Sequence, residues 1–102
     1  MITQRRIFHA KPGKAAGVVQ KMKDFQPILD EHGGPKARIY TDHYSGHSDT
    51  VVWEFDVEGL SKLEEMEWAV AQDAEYQKAY AWYEGLIPLI NGATVELWNR
   101  EE

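Results

Sequence analysis

The chain has no cysteine, which excludes a disulfide framework and any thiolate metal site. No apolar run approaches the length needed to cross a membrane. Basic residues are neither abundant nor clustered: 11 Lys and Arg stand against 17 Asp and Glu, for a net charge of −6. Phosphate contacts need clustered cations, so nucleic acid is not an expected partner. The one basic concentration, Arg5 and Arg6 with Lys11 and Lys14, is small. Met1 is followed by Gln4, Arg5 and Arg6 rather than by the apolar stretch of a signal peptide, and a cytoplasmic location is expected. No glycine-rich phosphate loop follows a strand pattern, because His32-Gly33-Gly34-Pro35 comes after a helical one. No nucleophile elbow supports Ser-His-Asp chemistry. Repeats, low-complexity tracts and linkers are also missing.

What is there reads as one domain over residues 1–102. Hydrophobic residues at 43% and charged residues at 27% are ordinary for a globular chain and wrong for a disordered one. Four Trp and five Tyr supply large contact areas. Rings with one polar tip are favoured at binding surfaces and interfaces, so part of that area is expected there.

Residues 2–9 are strand-tolerant and end at the turn signal Lys11-Pro12-Gly13. From Lys14 the period changes: Ala15, Val18, Val19, Met22, Phe25 and Leu29 form one helical stripe. Pro27 removes a backbone donor inside it, so a kink or a stop and restart is expected. Residues 36–44 read as a second strand and residues 45–50 as a hairpin loop. Val51 to Val57 is the strongest strand, with Val51, Trp53, Phe55 and Val57 on one face and Val52, Glu54 and Asp56 on the other. Ser61 and Glu64 have capping-box spacing ahead of a stripe through Leu63, Met66 and Val70. Asp73 is expected to cap a continuation carrying Tyr76, Tyr80 and Tyr83, with Gly85 and Pro88 as stops. Asn91-Gly92 reads as a turn before a last strand, Ala93 to Asn99.

The order β-α-β-β-α-β predicts an α+β, ferredoxin-like fold: a four-stranded antiparallel sheet with its helices on one face. The other face is left bare. Large aromatics are expected on both sides, Trp53 and Phe55 on one and Phe8, Trp98 and Tyr40 on the other. That much ring surface is poorly left in water. A homodimer through the open sheet face is the simplest closure.

Arg6-Ile7-Phe8 with Lys11-Pro12-Gly13-Lys14, then Val51-Val52-Trp53-Glu54-Phe55, then Asp73-Ala74-Glu75-Tyr76-Gln77, resemble the dimeric α/β-barrel superfamily. That superfamily includes the antibiotic-biosynthesis monooxygenase group, and the chain looks most like its NIPSNAP-type branch. The resemblance implies a homodimer whose sheets enclose a cavity, often a small-molecule site. Its members include cofactor-free oxygenases and haem-degrading enzymes. The haem-degrading members carry an iron-ligating His on the second helix; that register falls on Tyr80 here, with no His in the region. Haem degradation is therefore not expected, and no cofactor is.

The sharpest candidate constellation is Arg6, Glu54 and Glu96, expected side by side because the first strand should lie between the third and the fourth. Arg6 offers a planar, permanently charged fork for a carboxylate or enolate. A Glu pressed by a second acid and by apolar walls would have a raised pKa and accept a proton. The alternative is a structural salt-bridge layer. Phe8, Tyr40 and Trp98 would line the same pocket or form the core of the dimer interface. His43, His47 and Asp49 lie close in sequence, but their spacing and Gly-Ser-rich loop do not specify a metal, and none is expected. Two functions remain: a cofactor-independent monooxygenase-like or isomerase-like enzyme in the dimer cavity, or a non-catalytic ligand-binding or interaction module.

Overall fold

The computed structural model describes residues 1–72 and 75–101, and of residues 70, 72 and 75–80 the backbone alone. Strand β1 (Ile2–Ala10) is followed by helix α1 (Ala15–Glu31), strands β2 (Arg38–Thr41) and β3 (Thr50–Val57), and helices α2 (Leu60–Gln72) and α3 (Glu75–Leu86). A single 3-10 turn, Ile87–Leu89, leads into β4 (Ile90–Asn99). The sheet order is β2-β3-β1-β4, and all three ladders are antiparallel. This is the ferredoxin-like α+β arrangement. The slab measures 36 × 35 × 17 Å, deep enough for one sheet and one helix layer, so one sheet face stays open.

The core forms where the helical stripe meets the alternating face of β3. Val51, Trp53, Phe55 and Val57 point at Val18, Met22 and Leu29 of α1, with Leu63 and Leu86 closing the layer. Phe8 pairs with Val51 in register and is buried in the same core, at 2% exposure. The expected placement of Phe8 on the opposite face is thereby corrected: residues directly opposite across a ladder share a face.

Helix α1 runs through Pro27 without a break. The carbonyl that Pro27 cannot satisfy belongs to Lys23, and both residues are exposed, on the side of the helix turned from the core. Ile28 and Leu29 in the following turn are buried, which keeps the chain helical beyond the proline. The stop comes at Gly33, whose φ of 67° lets the amides of His32, Gly33 and Gly34 turn back onto Leu29 and Asp30.

Strand β2 is shorter than the expected 36–44, with side chains taking up amides at both ends and one backbone bond, from the Asp42 amide to the Thr50 carbonyl, closing the second. Gln26 accepts from the Ala37 amide, and the Asp42 carboxylate accepts from the Thr50 amide. Ser61 lies inside α2 rather than capping it, since the helix already begins at Leu60. Gly85 is not a stop either: α3 continues to the buried Leu86, and a Cβ on Gly85 would sit 2.6 Å from Lys21 Nζ. Asn91-Gly92 lies within β4. There the pairing steps from His9–Gly92 to Ala10–Ile90, so Asn91 is the extra residue of a β-bulge. The expected cap at Asp73 lies outside the described residues. Among those described, no helix is long and apolar enough to cross a membrane.

Candidate functional site

Antiparallel register decides which side chains can meet. On the open face a continuous row runs across all four strands: Arg38 opposite Glu54, Glu54 opposite Arg5, and Arg5 opposite Glu96. The Glu54 carboxylate is nearly buried and accepts from Arg5 Nε and from Arg38 Nε, each at 3.0 Å. Burial alone pushes its pKa up, but the hydrogen bonds and charges of Arg38 and Arg5 outweigh that and hold it below the usual range. One step along the strands, Asp56 accepts from Arg38 Nη1 at 2.9 Å, Thr3 Oγ1 at 2.6 Å and Arg100 Nη1 at 3.0 Å. Arg38 and Thr3 depress its pKa to about 2 against a smaller opposing effect of burial. Trp98 donates its indole N–H to Glu96 Oε1 at 3.0 Å. A shallow concavity of about 560 Å³ lies over Thr3, Arg5, Arg38, Glu54, Asp56 and Trp98.

Arg6 faces the other way. It pairs with Trp53 and Val95, on the side that the helices cover. Its Nε and the Trp53 indole Nε1 are both buried and without a hydrogen-bond partner among the described residues. Burial lowers the pKa of Arg6, while Glu67 on α2 and then Tyr83 on α3 act in the opposite sense. The guanidinium therefore lies under α2 and α3, beside an indole wedged edge-on against Phe25 and Phe55 at 5.8 and 5.2 Å.

The expected grouping of Arg6 with Glu54 and Glu96 is thus corrected: Arg5 stands between those acids and the sheet separates them from Arg6. The expected raised pKa at Glu54 is replaced by a lowered one, because two arginines hold the carboxylate. Phe8 is parted from Tyr40 and Trp98 in the same way, being a core residue while the other two lie half-exposed on the open face. His47 meets His9 edge-on and His43 meets Tyr44, and among the described residues no three His, Asp or Glu are placed to hold a metal ion. Of the expected tyrosine stripe, Tyr76 and Tyr80 lie outside the described side chains, and Tyr83 is half-exposed. The sequence reading does not single out Arg5, Arg38, Asp56 or Trp53 for these contacts. Strict alternation in β3 was the one signal for them, since it puts Trp53 inward and Glu54 and Asp56 outward.

No family model matches the chain, and no curated protein matches it at a significant level. Solved structures do. An uncharacterised NIPSNAP-domain protein from Burkholderia xenovorans superposes with a TM-score of 0.81 at 17% identity, covering 99% of this chain and 95% of that one. A NIPSNAP-family protein from Agrobacterium tumefaciens gives 0.79 at 18% identity, covering 99% and 93%. A candidate antibiotic biosynthesis monooxygenase from Nitrosomonas europaea gives 0.70 at 9% identity, covering 98% of each chain. At such identities the likeness is one of fold. Over nearly its whole length, this chain has the fold of NIPSNAP-domain and antibiotic-biosynthesis-monooxygenase-like proteins.

Proposed function

We propose that this protein binds a small organic anion, a carboxylate or an enolate, between the sheet and helices α2 and α3, and that it works as a homodimer closed through its open sheet face. The observation that carries the binding reading is the pair of orphaned donors, Arg6 Nε and Trp53 Nε1. A buried N–H without an acceptor costs about 1–3 kcal/mol, and folded proteins leave few of them. Here two belong to residues directly opposite on adjacent strands. Such residues stand about 5 Å apart at Cα, so one planar acceptor group can serve both. Arg6 brings a positive charge to that point. Among the described residues, Glu67, exposed on α2, is a carboxylate that acts on Arg6 when no ligand does.

Binding without turnover fits the geometry better than proton-transfer catalysis. Glu54 is held ionised by Arg5 and Arg38 on the far side of the sheet, and Glu96 is engaged by Trp98 there. Glu54 thus lacks the raised affinity for a proton that a base near neutrality needs. The homodimer reading is supported by Tyr40 and Trp98, which are 48% and 56% exposed on a sheet face that no helix covers.

Titration calorimetry and thermal shift with a panel of aromatic and aliphatic carboxylates test the site. At least one anion should raise the melting temperature of the native protein. Arg6→Gln should weaken that anion about 10- to 100-fold through loss of a charge-assisted bond, and Trp53→Phe about fivefold. Glu67→Gln should tighten it. Equal affinity for the native protein and Arg6→Gln overturns the site.

A further inference from the structure

From the order of charges on the open face we infer that it docks a second copy of this chain in one register, with the twofold axis parallel to the strands. The inference rests on the homodimer reading above and adds to it which side chains meet. Read across the sheet from β2 to β4, the central row is Arg38, Glu54, Arg5, Glu96: positive, negative, positive, negative. A twofold axis parallel to the strands reverses that order in the second copy. Arg38 of one copy then lies over Glu96 of the other, and Glu54 lies over Arg5, so every contact is between opposite charges. An in-plane axis across the strands sets Arg38 over Arg38 and Glu54 over Glu54. That arrangement is repulsive throughout.

The neighbouring row obeys the same operation. It reads Tyr40, Val52, Ile7, Thr94, and reversal places Val52 over Ile7 and Tyr40 over Thr94. Facing sheets cross at about 30°. The offset is small at the central strands, and at the edges the long Arg38 and Glu96 side chains span it. Strands of this length at a spacing of about 4.8 Å give a face of roughly 500–600 Å² in flat projection, near the size class of half a stable interface once side-chain relief is added. The rings and aliphatic groups supply the affinity. The charge row supplies orientation, because desolvated ion pairs discriminate more than they attract.

Two single reversals and their mixture test this. Glu96→Arg places like charge against Arg38 across the axis, and Arg38→Glu does the same against Glu96. Each variant alone should dimerise at least about tenfold more weakly than the native chain by sedimentation equilibrium. Mixed in equal amounts, the two should form a heterodimer within about threefold of native affinity, since every reversed charge again faces its opposite. Arg38 also holds Glu54 and Asp56 within its own chain, so far-ultraviolet circular dichroism checks that fold. The hydrogen bond that Glu96 makes is with Trp98 on the surface, and Glu96→Arg alone carries the test if the other variant unfolds. Native-strength dimers of Glu96→Arg overturn the register while leaving the homodimer intact, and so does a folded mixture that stays monomeric. A native chain that is monomeric at tens of micromolar overturns the homodimer with it.

Discussion

Three residues converge on Asp56. Thr3, Arg38 and Arg100 all donate to its carboxylate, which keeps only 15% of its surface in water. Its pKa of about 2 is a statement about stability. A carboxyl whose folded pKa lies below the unfolded one, 3.8, binds fewer protons when folded, so stability rises with pH through that interval. The contribution is complete above about pH 4 and lost as pH falls toward 2. Glu54, lowered in the same direction, adds to the loss over a similar acid range. Asp56→Asn should therefore cost the native protein about 1–2 kcal/mol at pH 7, allowing for solvent screening, and almost nothing at pH 2. Urea unfolding at both pH values measures this. A penalty equal at both would mean that packing, not charge, gives Asp56 its role.

At the scale of elements, Pro27 sets a clear expectation. The helix already runs through it, leaving the Lys23 carbonyl without its helical donor, so Pro27→Ala restores one hydrogen bond and removes a ring clash. After subtraction of the freedom that the unfolded chain regains, the gain should be about 1–2 kcal/mol, a rise in melting temperature of roughly 5–10 °C. A lower melting temperature would show that a distortion at Pro27 is needed for packing against the sheet. Pro27 also shows why element types were legible while their limits were not. The stripe through Val18, Met22 and Leu29 was strong enough to name the helix, and burial of that stripe overrode the local proline. In β3, alternation of Val51, Trp53, Phe55 and Val57 gave the correct face at once. Strand β1 defeated the same reading, because Arg5-Arg6 and Ile7-Phe8 are doublets of like character and carry no period-two signal. The choice between Arg5 and Arg6 rests instead on the partner strands, and only the ladder register supplies it. That one-residue ambiguity is why the sequence alone groups the candidate acids with Arg6, and Phe8 with Tyr40 and Trp98. The bulge at Asn91 was hidden for a related reason, since Asn-Gly favours a turn and a bulge alike.

For the molecule as a whole, the Arg5-Arg6 doublet divides two tasks between the faces of one strand. Arg5 belongs to the charge row of the open face and Arg6 to the orphaned donor pair beneath the helices. The backbone of β1 lies between them, and among the described residues no hydrogen bond or ion pair joins one group to the other. Free-energy effects at sites without shared partners add to within about 0.5 kcal/mol. Ligand binding and self-association should thus be separable in both directions. Arg6→Gln should weaken anion binding about 10- to 100-fold without changing the sedimenting mass. Glu96→Arg should weaken the dimer yet leave anion affinity within about twofold of native when measured on the monomer. Calorimetry across the concentration range of dissociation decides the matter, because a site formed between two copies loses its ligand as the copies part. Affinity that falls in step with the dimer fraction would move the ligand to the open face and make Arg5, Glu54 and Trp98 its contacts. Affinity that stays level keeps it with Arg6 and Trp53, inside each chain.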